Sequence, residues 1–109
     1  EELARGAEGT MTGFAFPEIL VAVYQAWQAG DRARAEALFD RYLPLIRYEN
    51  QPVINLSIRK ALLYRRGVIA TPLLRPPFTP IDLTTLDEIS WVLARVGITD
   101  AASKLALDD

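Results

Sequence analysis

The sequence contains no cysteine and no histidine, it has a single methionine, and its only lysines are Lys60 and Lys104. Without cysteine there are no disulfides and no thiol chemistry, and without histidine the commonest metal ligand and acid–base residue is missing. The net charge of −2 provides no basic field for nucleic acid. No apolar run reaches the roughly 20 residues that cross a bilayer, and no signal peptide is visible. We therefore expect a cytoplasmic protein with no metal, no cofactor, no nucleic acid and no membrane partner.

The most unusual stretch lies near the start, where residues 6–18 read GAEGTMTGFAFPE. Its glycines predict a brief strand or a turn at Gly9–Thr12, placed shortly before a helix. The spacing matches neither a dinucleotide fingerprint nor a phosphate loop. In an alternating strand and helix fold such a place faces the ligand. The residues alone leave a structural turn and a ligand-adjacent strand as equal alternatives.

Helical spacing of apolar residues predicts four helices in a chain long enough for one domain. Their expected extents are Pro17 to Gly30, Arg32 to Tyr48 with a kink at Pro44, Pro52 to Arg66, and a last helix that starts at a Thr85-x-x-Glu88 capping box and ends at Gly97. The prolines of residues 67–81 exclude a helix there, and the apolar residues between them indicate a connector laid along a surface. Residues 98–109 are expected to form a weak helix or to fray.

No catalytic constellation is visible among the titratable residues. Lys60, next to Arg59, is weighed as an imine-forming lysine, but a solvated helix lysine is the better interpretation. Glu49 and Asn50 are expected to cap a helix or to be solvated. A charged outer helix face is favoured over an anion clamp for the arginines, and packing is favoured over a stacking platform for the aromatic residues. The arginines are Arg47, Arg59, Arg65 and Arg66, and the aromatics are Trp27, Trp91, Tyr24, Tyr42 and Tyr64.

Four segments, taken in order, resemble the C-terminal third of the dihydrodipicolinate synthase and N-acetylneuraminate lyase family. They read GAEGTMTG, AGDRARAEALFDRYLPL, NLSIRKALLYRRG and ATPLLRPPFTPID, and the proline-rich one is the most specific. The resemblance extends to about Gly97 and implies a mainly α chain. Residues 1–30 would be the last strand and helix of a TIM (β/α)8 barrel, and residues 31–109 would be a C-terminal helical region. The parent would be a homotetrameric class I aldolase or dehydratase.

In this family a lysine of the sixth strand forms an imine with pyruvate or another 2-keto acid, and a tyrosine of a neighbouring strand shuttles protons. The resemblance places both residues before Glu1, so it implies that the chain is a fragment without a catalytic residue of its own and inactive alone. It also implies that Gly9, Met11, Thr12 and Gly13 line the keto-acid pocket, with Met11 beside the imine.

Two departures from the family pattern concern the substrate. Sialic acid lyases carry serine where Gly13 stands, and the asparagine common a few residues later is absent here. The resemblance therefore favours a 2-keto-3-deoxy sugar acid over sialic acid cleavage or dihydrodipicolinate synthesis. The alternative of another class is a stand-alone helical binding or oligomerisation module, which the start inside an apparent helix and the single orphan strand make less favourable.

Overall fold

The computed structural model describes residues 1–107, and in that range it consists of four α-helices joined by turns and irregular segments. The helices are α1 (Pro17–Gln28), α2 (Arg32–Glu49), α3 (Asn55–Arg65) and α4 (Leu83–Arg95). The described part of the chain is therefore mainly α, as predicted. In that same part no helix is long and apolar enough to cross a membrane.

Helices α1 and α2 pack against each other, and the residues that start and end them are largely those that the sequence predicts. Pro17 occupies the start of α1, and Gly30 after its end has a φ of +80°, the left-handed conformation that glycine adopts without strain. Asp31 then caps α2 by accepting a hydrogen bond of 3.0 Å from the Arg34 N–H. Helix α2 continues without interruption across Pro44, and the kink expected there stays a prediction.

The predicted start of α3 at Pro52 is wrong, because the helix begins at Asn55. Val53 has a φ of +74°, which a right-handed helix cannot include, and the Ile54 N–H closes a tight turn onto the Pro52 carbonyl at 2.9 Å. The end of the helix is as expected, since Gly67 follows it with a φ of +73°.

The predicted capping box of α4 is also wrong, because Asp82 is the capping residue. Its carboxylate accepts hydrogen bonds from the Thr85 N–H at 2.7 Å and from the Thr85 hydroxyl at 2.8 Å. These bonds to the charged form lower the pKa of Asp82 below its ordinary value. Thr85 thus lies inside the first turn as a donor, and the helix starts earlier than the Thr85-x-x-Glu88 pattern indicated.

The strand predicted at Gly9–Thr12 is not formed within the described residues. Residues 7–16, which we call the N-terminal segment, are irregular up to the start of α1. A strand is defined by its hydrogen-bonded neighbour, and no second strand exists in residues 1–107 to pair with this one. The structure therefore leaves most of the segment exposed to solvent.

The hydrophobic core joins all four helices to the end of the N-terminal segment. Its largest fully buried apolar side chains are Phe16, Ile19, Leu45, Ile58, Leu62, Ile89 and Val92. For Tyr64 and Trp91 the prediction was packing in the core or at an interface, and the core alternative is wrong, because they are 50% and 61% exposed; packing at an interface stays a prediction. Trp91 follows Ile89 by about half a helical turn, so burying Ile89 points Trp91 outward.

The proline-rich connector between α3 and α4 contains no helix, as predicted. Two side chains of α3 hold it, since Ser57 donates to the Thr79 carbonyl and Lys60 donates to the Leu73 carbonyl at 3.0 Å. Its apolar residues are less covered than expected, with Leu73 74% exposed. After α4, residues 98–107 form no helix, and residues 108–109 of the predicted tail lie outside the described residues.

Candidate functional site

The four residues predicted to line a pocket do not converge on one cavity among residues 1–107. Gly9 and Thr12 lie in a shallow groove between the N-terminal segment and α1, where the Tyr24 hydroxyl donates to the Glu8 carbonyl at 2.9 Å. Met11 is 99% exposed and has no part in that groove. Gly13 does not line the groove either, and it lies against the Arg59 side chain of α3. The described chain thus presents this stretch as an open surface.

Gly13 is covered by the guanidinium group of Arg59. A Cβ atom added at Gly13 would lie 2.4 Å from Arg59 Cζ, much closer than any allowed contact. The same guanidinium donates a hydrogen bond from Nη2 to the Gly13 carbonyl at 3.1 Å. The φ of Gly13 lies outside the left-handed region, so close approach, and not backbone conformation, is the reason that glycine suits this position.

Glu49 is the most deeply buried charged side chain of the described residues, and the prediction that it caps a helix or is solvated is wrong. Its Oε1 accepts a hydrogen bond of 2.7 Å from the Ala15 N–H, and its Oε2 lies 3.4 Å from Arg59 Nε. Burial raises the pKa of Glu49, whereas the Ala15 hydrogen bond and the Arg59 charge both act to lower it. The last turn of α2 thereby holds the N-terminal segment near its C-terminal end.

Arg66 holds the same segment from the end of α3, and it too departs from the predicted solvated face. Its guanidinium donates to the Ala15 carbonyl at 2.7 Å and forms a two-point ion pair with Glu18. The group also lies 4.4 Å from the centre of the Phe16 ring and donates to the Ala101 carbonyl at 3.2 Å. A planar, five-donor guanidinium can satisfy this many partners at once, whereas a lysine cannot.

The remaining candidates make structural contacts. Asn50 ends α2, and its amide donates to the Ile46 carbonyl at 2.8 Å, consistent with the predicted capping role. Arg65 bonds to Ser90 and to the Leu86 carbonyl on α4, so it is also not a free outer charge. Lys60 is occupied with the connector. Among residues 1–107 no group of three or more acidic residues could hold a metal ion.

Sequence reasoning missed the roles of Glu49, Arg59 and Arg66, although a signal for Glu49 was present. Glu49 follows Leu45 by four positions and Tyr42 by seven, so it shares their helix face. Both of those residues are buried. A carboxylate on an apolar stripe indicates a buried, hydrogen-bonded acceptor, because an unpaired one would be costly.

Comparisons with known proteins agree with the resemblance. The model of the dihydrodipicolinate synthetase family matches residues 1–96. An L-2-keto-3-deoxyarabonate dehydratase of Azospirillum brasilense is 34% identical over 95 residues, which are 87% of this chain and 30% of that protein. A dihydrodipicolinate synthase of Rhodopseudomonas palustris, known from its crystal structure, is similar with a TM-score of 0.83 and 44% identity over 86% of this chain and 31% of that one.

The chain belongs to the dihydrodipicolinate synthetase family, because the family match covers nearly all of it. The two relatives described above, a dehydratase and a synthase, are both enzymes. The chain spans about a third of the length of the relatives that it matches.

Proposed function

We propose that this chain is the C-terminal segment of a Schiff-base-forming lyase, an aldolase or dehydratase that acts on pyruvate or a 2-keto-3-deoxy sugar acid. The observation that carries the proposal is the family match over residues 1–96, together with the likeness to a 2-keto-3-deoxy acid dehydratase. In this proposal residues 1–30 complete the barrel as its last strand and helix. Residues 31–109 form the helical region behind it and take part in packing the oligomer.

The state of the N-terminal segment supports this division. Residues 7–13 are irregular and exposed, and Met11 is almost fully exposed. In this proposal Met11 is covered in the full-length protein by a neighbouring strand and by the pocket that it lines. The family match and the two enzyme relatives disfavour the alternative of a stand-alone helical binding or oligomerisation module.

The chemistry assigned to the parent enzyme starts with a lysine outside this chain. Its amine would add to the C2 carbonyl of the keto acid and lose water, giving an iminium ion that withdraws electrons from C3. Loss of a proton from C3 and of hydroxide from C4 would then dehydrate the substrate, or the C3–C4 bond would break in an aldolase. The role proposed for Gly9, Met11, Thr12 and Gly13 is to form one wall of this pocket.

Substitution of Met11 tests the proposed wall. In the full-length protein that carries this chain, Met11→Arg should lower turnover of L-2-keto-3-deoxyarabonate by about 100-fold or more, because a long cation would displace the substrate from its reactive position. Met11→Leu is the matched control, since it conserves volume and polarity, and it should keep activity within a few fold. Substrate loss and pyruvate release are both measured, so that dehydration and cleavage are distinguished. Unchanged kinetics for Met11→Arg would show that Met11 does not line the site.

A further inference from the structure

The N-terminal segment is held by charged side chains of the helical region at three adjacent backbone groups. The Gly13 carbonyl accepts from Arg59, the Ala15 N–H donates to Glu49, and the Ala15 carbonyl accepts from Arg66. These contacts join positions 34 to 51 residues apart in sequence. Side chains of α2, of α3 and of the residue that follows α3 therefore fix the point from which the exposed residues before Gly13 extend.

Arg59 is the central member of this arrangement because it bonds both to the segment and to the residue that holds the segment. Besides Gly13, it contacts Glu49 and, at 3.4 Å, the side-chain oxygen of Asn50. Its side chain is only 19% exposed. These partners keep the guanidinium in the volume that a side chain at position 13 would occupy.

We propose that Glu49 and Arg59 are positioning residues, which fix the Gly13–Ala15 backbone and thereby aim the Gly9–Gly13 wall at the substrate. This inference rests on the proposed function, because it needs a pocket for the wall to face. This role accounts for a buried carboxylate at position 49, although burying a charge is costly. The Glu49 carboxylate orients the Ala15 N–H and the Arg59 guanidinium through hydrogen bonds, whereas an apolar side chain would fill the same space without orienting either group.

A double-substitution cycle in the full-length protein tests the proposal. The probe is pyruvate at limiting concentration, and the readout is the initial rate of the adduct trapped by borohydride. Gly13→Ala alone should slow trapping about 10-fold, because its methyl group pushes against a guanidinium that cannot move freely. Arg59→Ala should also slow trapping about 10-fold, because the segment loses its support. The two together should cost about 10-fold and not about 100-fold, because alanine at position 59 makes room for the methyl group.

Arg65→Ala is the matched control, since this arginine of α3 bonds to Ser90 and Leu86 of α4. It should lower the Tm and leave the trapping rate unchanged. A 100-fold loss in the double variant would overturn the inference, because it would mean that Gly13 and Arg59 act independently. Single variants that lower the Tm without slowing trapping would also overturn it, since the contacts would then be structural only. Absence of any adduct in the unmodified protein would instead overturn the proposed function.

Discussion

Removal of the Glu49 carboxylate should loosen the N-terminal segment at Ala15 in particular. In a Glu49→Ala variant the buried Ala15 N–H loses its acceptor, which costs about 1–3 kcal/mol. Arg59 loses its ion-pair partner as well, but it keeps its hydrogen bond to the Gly13 carbonyl and some contact with solvent. The free-energy cost of leaving Arg59 without Glu49 is therefore smaller than the cost of breaking a fully buried ion pair. We expect about 3 kcal/mol in total, toward the upper end of the first range.

Hydrogen exchange measures this loss at the affected atom. In the full-length protein, a cost of about 3 kcal/mol corresponds to roughly 100-fold faster exchange of the Ala15 amide, followed by mass spectrometry in a peptide that contains it. Glu36→Ala on the same helix is the control, because Glu36 pairs with Arg32 on an exposed surface, where such pairs contribute about 0.5 kcal/mol or less. Unchanged exchange at Ala15 in the Glu49 variant would refute the reasoning.

Two predictions concern pH and helix capping, both measured as Tm. Asp82→Ala should lower the Tm at neutral pH more than Asp87→Ala, an exposed site on the same helix, and the difference should shrink as pH falls through the lowered pKa of Asp82. A difference that persists in acid would contradict the capping role. The pKa of Glu49 is raised, so its effect on stability changes with pH in the opposite direction to that of Asp82. The stabilising contribution of Glu49 is complete below the ordinary carboxyl pKa and is lost as pH rises through the raised value. The Tm of the wild type should therefore exceed that of Glu49→Gln by more in acid than at neutral pH. The reverse trend would contradict a raised pKa for Glu49.

Local signals predicted much of the fold. Proline and glycine placed both ends of α1, Asp31 capped α2 as expected, and the prolines of residues 67–81 excluded a helix. These features depend on a few neighbouring residues, whose conformational limits are strong. The error at the start of α4 arose because two local signals competed. Thr85 and Glu88 fitted a capping box, but Asp82 caps the helix three residues before Thr85.

The contacts around the candidate site were much harder to predict, because they join distant residues. Glu49 and Ala15 are 34 positions apart, and Arg66 and Ala15 are 51 apart. An arginine or glutamate on an amphipathic helix is ordinarily solvated, and only the packing of α2 and α3 against the N-terminal segment decides otherwise. The assignment of Met11 and its neighbours to a pocket came from family resemblance, and it stays a prediction.

The central claim is that this chain completes a pocket in which a lysine outside residues 1–109 forms an imine with a keto acid. The most direct measurement is borohydride trapping of the full-length protein with pyruvate, followed by intact mass and peptide mapping. We predict the mass of one reduced pyruvate on a lysine outside these residues, with Lys60 and Lys104 unmodified. No adduct, or an adduct on Lys60 or Lys104, would contradict the account.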